Sequence, residues 1–278
     1  MDFLWTAIGD QAEAACLVVQ GGLGSIFGEG GAVIPNFCRL MGGAWLTLQL
    51  TALALAIGFL LAVPVAMARL SKNPWINYPC LAYTFYFRGT PLLVQLFLVY
   101  YGSGQFALTF RELGLWHGMF RDAYFCALLT LTLNTAAYTA EILRGGMLGV
   151  PAGEVEAGRA YGMSRATLYR RIVFPRAMRI ALPAYTNEVV FLFQATSLVS
   201  LVTLLDLMGV ARDVISGTFR TFETLIFAGL VYLVISGLIF AVFKRVERRL
   251  MRHRRDITSD TKLDTGAKPG APTAAGQP

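Results

Sequence analysis

Charged residues are scarce in this 278-residue sequence, at 15%, where a soluble domain has about 25%. Hydrophobic residues make up 55%. This balance argues against an ordinary soluble enzyme and indicates a membrane protein. The net charge of +7 favours basic loops that face the cytoplasm and anionic lipid over nucleic-acid binding.

The residues of common catalytic and metal sites are also lacking. The two histidines, His117 and His253, belong to no HExxH motif, and the four cysteines form no CxxC pair. This pattern predicts neither a metal site nor a disulfide framework. The sequence has no GxxxxGK[ST] phosphate loop, so we do not expect this chain to bind ATP by that device. We predict no catalytic residues and no cofactor on this chain.

Long apolar runs predict an all-α membrane protein with five transmembrane helices, since each span needs about 20 mostly apolar residues. The predicted spans are about 43–68, 83–107, 123–143, 183–207 and 222–243. The start of the second span is open. Either a short interfacial helix ends at the break Arg88-Gly89-Thr90-Pro91, or one kinked helix runs through it. Residues 1–40 are interpreted as an extracytoplasmic or interfacial segment, without the features of a signal peptide.

Lys and Arg in the short loops predict the orientation. Basic residues concentrate in 69–80, 144–182 and 244 onward, whereas the other loops hold only Arg111, Arg121, Arg212 and Arg220. We therefore predict an external N-terminus and a cytoplasmic C-terminus. Residues 246–278 begin basic and become rich in Gly, Pro, Thr and Ala from about 256, which predicts a disordered cytoplasmic tail.

One long polar insert, residues 150–178, separates the third and fourth predicted spans, and we call it loop 150–178. It contains GEVEAGRAYGMSRATLYRRIVFPR, which predicts two short helices that meet at Gly162. Ser164 should cap the second helix, and Pro175 should end it. The small residues Ala157 and Gly158 would let another protein approach the backbone, while Glu156 could pair with a cation. The alternative is an ordinary solvated basic loop.

Loop 150–178 resembles the EAA loop of permease subunits in bacterial ABC importers. That pattern is E-A-A, three residues, G, nine residues and I-x-L-P, with Gly158 here in place of the third Ala and Phe174 in place of Leu. Residues 87–102, 131–146 and 179–190 look like the polar amino-acid branch, especially the M-type permeases of histidine, arginine, ornithine or opine importers. The similarity covers about residues 37–250. Gln194 and Ala195 depart from the Lys-Asp found in much of that branch.

The resemblance implies a type I ABC importer permease fold, with an ABC type-1 transmembrane domain over residues 41–245, in the bacterial inner membrane. It implies a second permease subunit, two copies of an ATPase that hold ATP and Mg, and a periplasmic solute-binding protein that delivers a polar, basic amino acid or an opine. The ATPase-coupling residues that it implies are Glu156, Ala157, Gly158, Gly162, Ser164, Ile172 and Pro175. A stand-alone secondary transporter or channel is the alternative.

Polar side chains within spans three and four are candidates for the substrate path. Glu188 is costly within a membrane unless it has a partner. It either faces the path and attracts a basic amino acid, or pairs with Arg144 or Arg179. The other candidates either line the path or bond to neighbouring helices, and they are Asn134, Thr135, Tyr138, Gln194 and Thr196.

Overall fold

The computed structural model describes residues 16–18, 20–21, 32–112, 114 and 119–264, with side chains as far as residue 249. Within these ranges the chain forms helices and turns but no strand, as predicted. The helices are α1 (Phe37–Arg69), α2 (Pro74–Gly89), α3 (Leu92–Gln105), α4 (Ala107–Glu112), α5 (Ala123–Leu148), α6 (Ala152–Ala160), α7 (Arg165–Leu168), α8 (Phe174–Ala195), α9 (Leu207–Thr218) and α10 (Thr221–Asp264). A π-helical turn, Tyr169–Val173, joins α7 to α8, and a 3-10 helix, Thr196–Val202, follows α8.

Three helical segments of the described chain are long and apolar enough to cross a membrane. They are α1 with 33 residues, α5 with 26 residues and the 29-residue segment Thr221–Arg249 of α10. The segment Arg165–Val202 and α9, which are bent by 47° relative to each other, form a fourth if they are counted together. α10 continues to Asp264, past the predicted start of the disordered tail near residue 256. Most of the predicted N-terminal segment 1–40 and residues 265–278 lie outside the described residues.

α1 presents a stripe of mostly small residues to its neighbours, and α5 packs closely against it. A Cβ added to Gly58 would lie 2.5 Å from Cγ2 of Thr135 in α5. Small residues let helix backbones approach closely in a membrane, where there is no hydrophobic force between helices. The buried members of the stripe recur every three or four residues: Gly43, Thr47, Leu50, Ala54, Gly58, Ala62 and Ala66.

The second predicted span is broken into α2 and α3. Thr90 is extended, with φ −113° and ψ 146°, and Pro91 follows with φ −61° and ψ 135°. The break leaves carbonyl groups without helical partners. The Nε2 group of Gln95 donates to the carbonyls of Phe87 (2.8 Å) and Thr90 (3.0 Å). Of the two alternatives for this region, the structure has two separate helices.

Pro175 was predicted to end the second loop helix, and this prediction is wrong. Helical backbone runs from α7 through the π-helical turn into α8, with Pro175 in the first turn of α8. The Phe174 N–H bonds to the Tyr169 carbonyl, five residues back. Proline is tolerated in a first helical turn because no N–H is needed there. α8 therefore begins at Phe174, nine residues before the predicted span.

The α-helix of the fourth predicted span also ends earlier than expected, at Ala195. Beyond the 3-10 helix, Thr203 has a positive φ of 67°. The Asp206 side chain then caps α9 by accepting from the Gly209 N–H at 2.9 Å. This turn packs on the start of α1, since a Cβ on Gly43 would lie 2.8 Å from the Asp206 carbonyl oxygen.

One hydrophobic cluster joins loop 150–178 to three of the long helices. Loop residues Leu168 and Val173 pack there with residues from the ends of α1 and α5 and from α8. Such a shared core packs the loop closely against these helices. The other buried members are Ala62, Ala66, Ala140, Leu143, Met147, Val150, Ala177 and Ala181.

Changing Gly146 to Ala should destabilise the contact between α5 and α8. The added Cβ would lie 2.6 Å from the Ala177 carbonyl oxygen and 3.1 Å from the Ala181 Cβ. Overpacking of this kind costs about 1–3 kcal/mol. Gly145→Ala is the matched control, because a Cβ there meets no atom within 4 Å. Thermal unfolding of the purified protein should show a lower midpoint for Gly146→Ala only, and equal midpoints would contradict the close crossing.

Candidate functional site

Loop 150–178 contains the helix, glycine turn and second helix that the sequence predicts. α6 follows Pro151, and the chain turns at Gly162, whose φ is +75°. This left-handed conformation favours glycine because it has no Cβ. The Ser164 Oγ then accepts from the Thr167 N–H at 3.3 Å and starts α7. The result is a compact hairpin of helices beyond the ends of α5 and α8.

Gly158 faces the inside of this hairpin. It is buried, and an added Cβ would lie 2.5 Å from Leu168 Cδ1 and 2.9 Å from Ile172 Cδ1. The expectation that Gly158 leaves room for another protein is therefore wrong, because side chains of the same loop fill that room. Its small size instead lets α6 pack closely on α7 and the π-helical turn. The predicted Ile172 is half-buried in this contact.

The opposite face of α6 is open. Glu156 and Ala157 are both exposed, so the acidic side chain and the small residue are accessible to a partner. Tyr161 lies at the tip of the loop with 86% of its surface exposed. Tyr161 is not among the residues predicted from the sequence, although its place directly before the turn glycine could have indicated an exposed position.

An ion pair ties α6 to α8. Arg176 Nη2 lies 2.8 Å from Glu154 Oε1, and both side chains are partly exposed. Pro175 is exposed beside this pair. The pair links α6 to the start of α8, and the Gly158 contacts hold α6 against α7 and the π-helical turn.

Glu188 lies within the helix bundle, with 6% of its surface exposed. Its Oε1 accepts from the Thr135 Oγ1 hydroxyl at 2.9 Å, which links α8 to α5. The alternative of pairing with Arg144 or Arg179 is not found among the described residues, and Arg144 binds Glu141 instead. A carboxylate held by one neutral hydroxyl keeps capacity for a cationic partner.

The Asn134 side chain forms hydrogen bonds at the break between α2 and α3. Its side-chain Nδ2 donates to the Phe87 carbonyl at 3.2 Å and to Gln95 Oε1 at 3.0 Å. Asn134 and Gln95 are both 2% exposed. The pair thus satisfies carbonyl groups that an unbroken helix would satisfy itself. The sequence analysis missed Gln95, although a helix break within apolar sequence requires some polar partner.

The other three candidates for the substrate path differ in their exposure and in their contacts. Tyr138 is half-buried, with the Arg88 guanidinium 5.5 Å from its ring centroid. Gln194 is exposed on α8. Thr196 is fully buried, and its hydroxyl donates to the Phe193 carbonyl at 2.6 Å. The structure therefore brings Thr135 and Glu188 together and places Gln194 on the outer surface of the chain.

A charged cluster around Glu141 joins α1, α2 and α5. The Glu141 carboxylate lies 3.0 Å from Arg69 Nε and 2.7 Å from Arg144 Nε, with Arg88 Nη1 at 4.0 Å. Arg69 also donates to the Asn77 side chain in α2. The Glu141 and Arg69 side chains are only 11% and 12% exposed. This cluster, which the sequence analysis did not identify, fixes the relative positions of three helices next to loop 150–178.

Comparison with known proteins identifies the family. Residues 39–252 match the family described as binding-protein-dependent transport system inner membrane component. The chain is 47% identical over 223 residues to the nopaline transport system permease protein NocM of Agrobacterium fabrum, covering 80% of this chain and 92% of that protein. It is 45% identical over 212 residues to the histidine/lysine/arginine/ornithine transport system permease protein HisM of Salmonella typhimurium, covering 76% and 89%.

A solved structure confirms the fold. The crystal structure of an amino acid ABC transporter with histidines matches with a TM-score of 0.70 and 33% identity, covering 78% of this chain and 96% of that one. The methionine ABC transporter MetNI, at 20% identity and a TM-score of 0.65, shares the fold. The resemblance to polar amino-acid permeases is thus confirmed. The chain belongs to the family of binding-protein-dependent transport system inner membrane components, as a multi-pass permease subunit with the type I ABC importer fold.

Proposed function

We propose that this permease moves a cationic amino acid or an opine across the bacterial inner membrane, driven by a separate ATPase. The observation that carries the proposal is loop 150–178, with an exposed Glu156–Ala157 face outside and a hydrophobic core shared with α1, α5 and α8 inside. The substrate class is supported by relatives named for nopaline and for histidine, lysine, arginine and ornithine transport.

The proposed topology has five spans, with the N-terminus outside and the C-terminus in the cytoplasm. α2 and α3 together form the second span, broken at Thr90, and α8 with its 3-10 extension forms the fourth. The concentration of Lys and Arg in 69–80, 144–182 and 244 onward supports this orientation. It places loop 150–178 on the side of the membrane where ATP is present.

Single-cysteine labelling tests this orientation. Two variants, Tyr161→Cys and Phe219→Cys, are made in a protein whose four native cysteines are changed to serine. The proposed topology places the thiol at position 161 in the cytoplasm and the thiol at position 219 outside. Both positions are highly exposed, at 86% and 88%. A membrane-impermeant maleimide added to intact spheroplasts should label Phe219→Cys only and reach Tyr161→Cys after lysis. The opposite pattern would reverse the topology.

The proposed complex contains a second permease subunit, two copies of the ATPase and a periplasmic solute-binding protein. ATP and Mg belong to the ATPase chains. ATP can shift the permease between inward-open and outward-open states only if the two states differ in their affinity for it. Because α6 packs on α7 and the π-helical turn, which continue into α8, and the Glu154–Arg176 pair joins α6 to α8, motion of the ATPase would be passed to the spans through this packed segment.

The substrate path is proposed to include Glu188. Its carboxylate is buried and makes its one identified hydrogen bond, among the described residues, with Thr135. Arg88 lies near enough to interact with it electrostatically, but no Lys or Arg of the described residues forms an ion pair with it. A buried acid without an ion pair favours a positively charged substrate group. The candidates Asn134, Tyr138, Gln194 and Thr196 are proposed only as neighbours of the path, because Asn134 and Thr196 already bond to backbone carbonyls.

Glu188→Gln should weaken uptake of a cationic amino acid while the protein stays folded. Glutamine keeps the size of the side chain and an oxygen that accepts from Thr135, but it removes the charge. A lost ionic contact is worth about 1.5–3 kcal/mol, which would raise the KM for the cationic substrate roughly ten- to a hundredfold. Thr135→Val is the companion variant, because it removes the hydrogen bond and keeps the charge. An unchanged KM in Glu188→Gln would remove Glu188 from the path.

Purification tests the assignment to an ATP-driven complex. A tagged chain extracted from its native membrane in mild detergent should co-purify with an ATPase that carries a phosphate loop and with a second permease. A stand-alone secondary transporter or channel would be recovered without an ATPase and would transport by itself in liposomes. That result would overturn the proposal.

A further inference from the structure

A groove of about 350 Å³ lies where loop 150–178 meets the C-terminal end of α1. Its walls are mostly apolar, and Arg170 is the charged side chain among the described residues that line it. A single cation beside an apolar cleft is the arrangement expected for a ligand with a hydrocarbon part and an anionic part. The lining residues are Val63, Met67, Met147, Ala166, Tyr169, Arg170 and Phe174.

Arg170 is available to bind an anion. It is exposed, and no ion pair that involves it is present among residues 32–112, 114 and 119–249. Glu141 binds Arg69 and Arg144, and Glu154 binds Arg176. Glu156 is exposed on α6 and forms no ion pair with Arg170 among the described residues. The charge of Arg170 is therefore not neutralised by the described part of the chain.

The position of the groove along α1 points to the membrane surface. α1 is free of charge from Leu40 to Ala68 and ends at Arg69. Val63 and Met67 lie within about 9 Å of that end, at 1.5 Å rise per residue. The groove thus spans the boundary between the hydrocarbon layer and the headgroups. Tyr169 at its rim fits this depth, since tyrosine is enriched at membrane interfaces.

We propose that this groove binds one anionic phospholipid of the cytoplasmic leaflet. An acyl chain would lie on Val63, Met67 and Phe174, and the phosphate would contact Arg170. Basic pockets between membrane helices on the cytoplasmic side bind anionic headgroups. The choice of leaflet rests on the proposed orientation.

A lipid in this groove would be placed where it could affect transport. Tyr169 and Arg170 belong to the π-helical turn that connects α7 to α8. Single π-turns within helices are frequent at functional sites. A bound lipid would therefore touch the segment that links the ATPase-facing loop to the fourth span.

Native mass spectrometry of the purified transporter, titrated with phosphatidylglycerol or phosphatidylcholine, tests the proposal. The wild type should bind phosphatidylglycerol more tightly, and Arg170→Gln should weaken that binding about fivefold, the loss expected for one basic side chain near a lipid phosphate. Arg171→Gln is the matched control, because it removes the same charge from the next residue, which does not line the groove. Ala166→Phe should weaken the binding of both lipids by filling the groove.

Equal lipid affinity in the wild type, Arg170→Gln and Ala166→Phe would overturn the proposal. A photo-crosslinker at position 166 that captures the ATPase polypeptide instead of lipid would also overturn it, because the groove would then be a protein contact. Failure of the proposed orientation is distinguishable, since the cysteine labelling at positions 161 and 219 reports it independently of lipid binding.

Discussion

Gly162→Pro is expected to reduce ATP-driven uptake to background while the transporter remains assembled in the membrane. Gly162 has a φ of +75°, whereas proline is held near −65°. Proline would also remove the N–H that donates to the Arg159 carbonyl at 2.9 Å. A Cβ at this position meets no atom within 4 Å, so the effect would come from the backbone geometry that proline imposes on residues 161 and 162.

A graded series at position 162 separates turn geometry from side-chain size. Asn tolerates the left-handed conformation better than Ala, so uptake should fall in the order Gly, Asn, Ala, Pro. Gly153→Ala is the control, since Gly153 is exposed in the first turn of α6 and has no neighbour within 4 Å. Glu156→Lys, which reverses an exposed charge without altering the turn, should also uncouple ATP hydrolysis from uptake. Wild-type uptake by both Gly162→Pro and Glu156→Lys would rule out a coupling role for the loop.

Glu141→Ala is expected to destabilise the protein more than any other single change considered. It would leave Arg69, which is 12% exposed, without its carboxylate partner. Removal of one member of a buried ion pair costs about 3–5 kcal/mol, because the remaining charge is uncompensated. The unfolding midpoint and the yield of folded protein should both fall. Glu112→Ala is the control, because Glu112 is exposed.

A double variant distinguishes a lost ion pair from a simple cavity. Arg69→Met combined with Glu141→Leu replaces the two most buried charges of the cluster with apolar side chains and leaves the more exposed Arg88 and Arg144. It should therefore be more stable than Glu141→Ala alone. If the double variant is less stable than Glu141→Ala, the uncompensated charge is not the cause of the loss.

Local sequence patterns predicted much of the secondary structure of loop 150–178. They could not predict contacts between residues that are far apart in the sequence. The Gly162 turn and the Ser164 cap follow from residue types whose conformational preferences are local. The burial of Gly158 results from contacts with Leu168 and Ile172, and these side chains come close to Gly158 only when the hairpin folds. The course of the chain through Pro175 depends on a π-helical turn, for which the sequence has no simple signal.

The same limit applies within the spans. Apolar runs predicted where the long helices lie, and Thr90-Pro91 indicated a break. The partners of polar side chains could not be predicted, because Asn134 bonds to Phe87 47 positions away and Glu188 to Thr135 53 positions away. The ion pair between Glu141 and Arg69 could not be predicted either, because it requires the close packing of α1 on α5.

The central claim is that this permease transports only when an ATPase drives it through loop 150–178. Uptake of radiolabelled arginine, histidine and octopine into proteoliposomes, with ATP enclosed and the binding protein outside, tests it most directly. The account predicts ATP-dependent uptake of at least one of these substrates by the complete complex, and none without the ATPase or in the Gly162→Pro variant. Uptake at the same rate without the ATPase would contradict it.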